Sequence, residues 1–222
     1  MPGFGTAQAP SDFAYPVEGY MGFLNSAFEQ LGIERVHLVL HDFGGPWGLG
    51  WAIAHPDNFA SVVLINTGIM PGFEMHRTGR IWGTPVLGEV AMAVTSRKAF
   101  GKSIKQANPG MPDAFIDHMY DEFDRGTRKT VLKLYRNRTD DELLKQVAAA
   151  FKALDRPALV LWGGKDEFVP LRHAHQQRDE AFPSAEVVVL EESSHWPFVD
   201  DPEGAANAII PFLRAQVGTT PS

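Results

Sequence analysis

The chain has 222 residues, 44% of them hydrophobic and 21% charged, which fits one globular domain able to bury a sizeable core. A net charge of −7 argues against a broad nucleic-acid or anionic-membrane surface. The absence of cysteine excludes disulfides, thiol nucleophiles and cysteine-based metal sites.

No apolar run is long enough to span a membrane, and no basic segment followed by an apolar stretch follows Met1. The default expectation is therefore a cytoplasmic protein. Residues 1–16 are rich in Pro, Gly and Ala and read as loop. Val17, Tyr20, Leu24, Ala27, Phe28 and Leu31 recur at helical spacing, and Gly32 follows as a stop. A strand is expected at 36–40, followed by a helix from about Gly45 to His55. "SVVLIN" (61–66), "PALVLWG" (157–163) and "AEVVVLE" (185–191) read as further strands. All are short, aliphatic or β-branched and apolar on both faces, as parallel strands between helical layers are. The expected fold class is α/β, with a mostly parallel sheet.

Residues 68–150 carry helical patterns such as "MPDAFIDHMYDEF" and "TRKTVLKLYRN" and no strand signal. The expected organisation is a core of residues 1–67 and 151–222 with a helical cap insertion at 68–150. "PEGAANAIIPFLRAQV" reads as a closing helix kinked at Pro211, and "GTTPS" as a frayed tail.

Three residues with chemical potential follow three of the strands: Asp42 after the first, Asp166 after the third and His195 after the fourth. Taken singly, each has an ordinary explanation: Asp42 as a helix N-cap, Asp166 as a turn residue, His195 as a packed core histidine. Together, the order nucleophile, acid, histidine matches a catalytic triad on an α/β scaffold. Asp42 stands where a strand breaks sharply into a helix, with Gly44 and Gly45 on one side; Leu40, on the other, is larger than the small residue usual there. His41 receives no role, and His55, His173 and His175 read as surface or helix-end residues. No spacing of His, Asp and Glu suggests a metal site, and no cofactor is expected.

"HDFGG", "WGGKD" and "SSHWPFVDDPE" resemble the nucleophile elbow, acid turn and histidine loop of the Asp-nucleophile branch of α/β-hydrolases, which holds haloalkane dehalogenases and epoxide hydrolases. The likeness runs over essentially the whole chain, and it implies the α/β-hydrolase fold with a helical cap. It also implies a reaction: Asp42 attacks a saturated carbon to form an alkyl-enzyme ester, and His195, oriented by Asp166, activates the water that hydrolyses it. The backbone N–H of Phe43 is then the oxyanion donor. Dehalogenases usually carry Trp after the nucleophile to hold the halide, whereas Phe43 has no side-chain donor, which counts against halide release. Epoxide hydrolases protonate the epoxide oxygen with cap tyrosines, for which Tyr120 and Tyr135 are candidates. Trp82, Phe115, Tyr120 and Tyr135 are the candidate lining residues of an apolar pocket.

The partners implied are a small apolar substrate and water, with no nucleic acid and no membrane. Ester or other small-molecule hydrolysis on the same fold is the alternative activity. A catalytically dead remnant and a binding protein on the scaffold are alternatives of another kind. "MPGFGT" resembles a loop that follows about four strands in the family, so the resemblance implies a chain lacking its N-terminal strands. On that expectation the 36–40 strand keeps an open edge, and the chain self-associates through it.

Overall fold

A computed structural model describes residues 1–137 and 139–218. Its chain divides into two compact units. One joins residues 1–20 to Glu74–Thr139; the other joins residues 21–73 to residue 140 onward. Residues 1–20 thus group with the helical insertion, and residues 140–150 with the sheet.

The sheet-bearing unit is built on β1 (Val36–His41), β2 (Phe59–Ile65), β3 (Ala158–Gly163) and β4 (Glu186–Leu190). Among the described residues these four strands lie in the order β1-β2-β3-β4, all parallel. Every residue of β2 and of β3 is buried, as expected of strands apolar on both faces. Alternation sorts them into two layers. Val62, Leu64, Val160 and Trp162 face a core shared with α2 (Gly44–Ala54) and α8 (Asp141–Leu154), where Leu49, Ala52, Ala148 and Phe151 are buried. Val63, Ile65, Leu159 and Leu161 face the other way, onto Ala205, Ile209 and Phe212 of α11 (Pro202–Val217). Helices therefore cover both faces.

The two flanking strands are less enclosed than their composition suggests. Among the described residues β1 pairs only with β2, and Val39 on it is 49% exposed. β4 is only partly buried along its length. The first helix, α1 (Val17–Gln30), ends as expected: Gly32 takes the left-handed conformation at φ 66° and its N–H bonds to the Glu29 carbonyl. Pro211 lies inside α11, which runs through it, and of the "GTTPS" tail residues 219–222 fall outside the described residues. Between β3 and β4 run α9 (Arg172–Gln176), continued by a π-helical turn to Ala181. His173, expected at a surface or a helix end, stands in the first turn of α9 but is 2% exposed, with Nδ1 bonded to Gln176 and its ring edge-on to Phe73. The short α10 (Pro197–Asp200) leads into α11.

The insertion unit carries α3 (Arg77–Gly83), α4 (Leu87–Val94), α5 (Arg97–Ala107), α6 (Asp113–Asp121) and α7 (Arg125–Arg136). Met92, Phe123 and Leu132 form its apolar centre, with Trp82, Phe100 and Val131 packed against them. Arg128 stitches these helices together by donating to the carbonyls of Met92, Thr95 and Phe123. Among the described residues no helix is long and apolar enough to cross a membrane.

Candidate active site

The carboxyl ends of the four strands carry the candidate residues. β1 ends at His41, Asp42 follows with φ 48°, and α2 begins two residues later. A left-handed backbone at a non-glycine residue is strained, and here it turns the Asp42 side chain out of the sheet; that side chain is 48% exposed. The turn is fixed by two bonds to the Asp42 carbonyl, from Gly45 N (3.0 Å) and from Thr67 Oγ1 (2.6 Å). Gly45 must lack a side chain, because a Cβ there would lie 2.0 Å from Thr67 Oγ1. Gly48 plays the complementary part for Leu40: a Cβ at 48 would meet Leu40 Cδ2 at 2.4 Å. The large residue before the elbow is accommodated by a missing side chain on the helix after it.

Asp166 follows β3, with no exposed side-chain surface, and His195 follows β4, also buried. His195 Nδ1 lies 2.7 Å from Asp166 Oδ2. A carboxylate oxygen accepts, so Nδ1 donates, which turns Nε2 toward Asp42. Nε2 stands 3.9 Å from Asp42 Oδ2, beyond hydrogen-bond range but close enough for an ion pair. Burial works hardest against charge on His195. The hydrogen bond to Asp166, with the negative charges of Asp42 and Asp166, outweighs it and raises the imidazole to about 9. The site at rest is therefore a carboxylate facing an imidazolium.

Asp166 accepts three further bonds: from the N–H groups of Phe168 (2.7 Å) and Val169 (3.0 Å) at Oδ1, and from Asn66 Nδ2 (2.6 Å) at Oδ2. Asn66, just past β2, is fully buried at φ 47°, and its Oδ1 accepts from Gly163 N at 3.1 Å. Sequence reasoning passed over Asn66, Thr67 and His41. The available signal for Asn66 was an amide closing an otherwise apolar strand. His41 Nε2 lies 2.8 Å from the His195 carbonyl. Phe43 is the first residue after the elbow, stacked on Trp47 at 6.0 Å, and its N–H lies at the start of α2.

The four insertion residues are dispersed within their own unit. Trp82 and Tyr135 meet edge to face at 5.1 Å, and the Tyr135 hydroxyl lies 3.3 Å from His76 Nε2. Tyr120 donates to the Thr95 carbonyl (3.3 Å), with the Arg97 guanidinium 4.6 Å from its ring. Phe115 is 41% exposed on α6.

The model of the alpha/beta hydrolase family matches residues 1–208. The chain belongs to that family. The chain is 26% identical over 217 residues to an uncharacterized protein of Mycobacterium tuberculosis, covering 90% of the chain but 62% of that relative. It is also 26% identical over 223 residues to haloalkane dehalogenase 2 of the same organism, covering 94% of the chain and 74% of the dehalogenase. Among solved structures, an epoxide hydrolase from an endophytic Streptomyces superposes with a TM-score of 0.80 at 19% identity, covering 98% of this chain and 80% of that chain. A meta-cleavage product hydrolase from Pseudomonas fluorescens superposes with a TM-score of 0.79 at 17% identity, covering 97% and 78%. At these identities the superpositions establish a shared fold.

Proposed function

We propose that this α/β hydrolase opens epoxides, or carbon–halogen bonds, through an ester on Asp42. The observation that carries the reading is a carboxylate at the elbow, where the same triad with a hydroxyl would serve acyl transfer. One Asp42 oxygen attacks a saturated carbon, and the carbon–oxygen or carbon–halogen bond breaks with its electron pair leaving on oxygen or halide. An alkoxide leaving group takes up a proton.

Ester formation consumes the negative charge of Asp42. His195 then loses one of the charges that held its proton, releases that proton to solvent, where it offsets the one taken up by an alkoxide, and becomes a neutral base. Water attacks the ester carbonyl carbon while His195 Nε2 takes a water proton, and Asp166 steadies the imidazolium so formed. The Phe43 N–H donates to the oxyanion, which collapses to release the alcohol and restore the carboxylate. With an epoxide the net reaction is epoxide plus water to diol. The substrate expected is small and apolar. The comparison with haloalkane dehalogenase 2 supports this chemistry, while the missing donor at Phe43 favours the epoxide over the halide.

The test is to trap the ester. His195→Gln, incubated with styrene oxide and with 1-bromohexane, should accumulate an adduct that peptide mass spectrometry places on Asp42. No adduct on any carboxylate across a broad panel, from a folded protein, would remove the mechanism. Cleavage of aryl esters alone would place the enzyme with the ester hydrolases of this fold.

A further inference from the structure

His41 ends the strand that carries the nucleophile, yet its side chain reaches the loop that carries the base. Its Nε2 is 2.8 Å from the carbonyl oxygen of His195, 154 residues away in sequence. A carbonyl can only accept, so Nε2 carries the proton and one tautomer is selected. The ring is held on several sides. It lies 4.8 Å from the His195 ring, 6.0 Å from Trp196 and edge-on to Phe198 at 5.1 Å. Burial, followed by the neighbouring charge of His195, lowers the affinity of His41 for a proton, and Asp42 and Asp166 only partly offset this. His41 is thus a neutral, single-donor side chain.

The histidine loop needs such a restraint. On the acid side it is tied by the Asp166–His195 bond and by Lys165 N donating to the Ser193 carbonyl at 2.9 Å. Asp200 closes the loop on itself by accepting from both Ser194 N and Ser194 Oγ. These bonds fix His195 relative to β3 and to its own loop. The bond from His41 fixes it relative to β1, whose next residue is Asp42.

We propose that His41 is a positioning residue whose Nε2–H bond to the His195 carbonyl sets the distance and angle between the triad imidazole and Asp42, and so the reach of Nε2 to the water that cleaves the ester. The proposal rests on the reading of His195 as the hydrolytic base. Ester formation depends chiefly on the Asp42 carboxylate meeting substrate, whereas hydrolysis depends on a water held between Nε2 and the ester. Loss of the restraint should therefore slow the second half-reaction selectively. A misplacement of about 1 Å costs on the order of a hundredfold in rate.

The experiment compares three variants of the full chain. His41→Gln keeps a nitrogen donor at the distance of Nε2, His41→Asn has an amide too short to reach, and His41→Phe keeps a ring without a donor. Ester formation and ester decay on Asp42 are followed separately by quenched-flow mass spectrometry, using whichever of styrene oxide and 1-bromohexane alkylates His195→Gln. Expected is near-normal ester formation in all three, with ester accumulating as decay slows about a hundredfold in Phe and Asn, and largely restored decay in Gln. Equal slowing of both steps, or no rescue by Gln, would assign His41 to mere packing and overturn the proposal. Should the Phe variant fail to fold, the Gln–Asn contrast decides alone. If His195→Gln traps an ester and His41→Phe hydrolyses it normally, only the role of His41 falls. If His195→Gln traps none, the reading of His195 falls, and this proposal with it.

Discussion

Replacing Asp42 by Asn should lower the proton affinity of His195, and the size of the fall can be worked from the geometry. The charges stand 3.9 Å apart. At that distance a unit pair is worth about 1 kcal/mol in water and about 4 kcal/mol at an effective dielectric of about 20. The His195 side chain is 4% exposed and that of Asp42 48%, so the pair lies between these limits. At about 1.4 kcal/mol per pH unit, the imidazole should fall by about one to three units. From a value raised to about 9 in the intact site, that brings it to about 6 to 8. The assay is a pH titration of the ring by NMR with 15N-labelled histidine, the His195 signal being assigned by its loss in His195→Gln. A midpoint that stays near 9 in Asp42→Asn would mean Asp166 alone holds the proton, and the switching of His195 on ester formation would be refuted. The same shift has a consequence for stability. His195 is raised from an ordinary value of 6.5 to about 9, so its contribution is complete below about 6.5 and is lost as pH rises through about 9. The intact protein should lose stability across that window more steeply than Asp42→Asn does, as urea denaturation at a series of pH values would show.

Two further substitutions test the frame of the site. Asn66→Gly tolerates the positive φ and so removes only the bonds to Asp166 Oδ2 and Gly163 N; leaving these buried groups short of partners should cost about 2 to 4 kcal/mol in denaturant unfolding. A loss below about 1 kcal/mol would show the amide to be dispensable. Gly48→Ala should destabilise by about 1 to 3 kcal/mol by driving a methyl into Leu40, and Leu40→Ala in the same chain should recover part of that loss. Strict additivity of the two would show that they do not crowd each other.

Much of this arrangement was legible in the chain. β2 and β3 read as uninterrupted apolar runs because burial on both faces leaves no place for a polar residue, and both are wholly buried. Asp42, Asp166 and His195 stood out because each is a chemically active group after such a run, and the structure puts His195 3.9 Å from Asp42 and 2.7 Å from Asp166. What was hidden depends on partners remote in sequence. Asn66 matters through Asp166, 100 residues on, and Thr67 through the Asp42 carbonyl. His41 adjoins the nucleophile, yet its partner is 154 residues away, so nothing local distinguished it from a space-filling histidine. Strand coverage was harder to see: β1, with His37 and His41, and β4, opening on Glu186, are otherwise as aliphatic as the buried pair, and the sheet order sets them at the flanks. The insertion showed its helices by periodicity, but residues 1–20 carry no pattern to reveal that they group with it.

The order of the strands has a consequence for how such a site can diversify. β1 presents Asp42, β2 presents Asn66 and Thr67, β3 leads to Asp166, β4 leads to His195, and His41 returns from His195 to β1. The linkages form a closed hoop across four neighbouring strand ends, and a hoop shares strain: a substitution at one link displaces the others. On the proposed mechanism, a change in which carbon is attacked is then expected from side chains outside the hoop, where a residue can be exchanged without moving Asp42, Asp166 or His195.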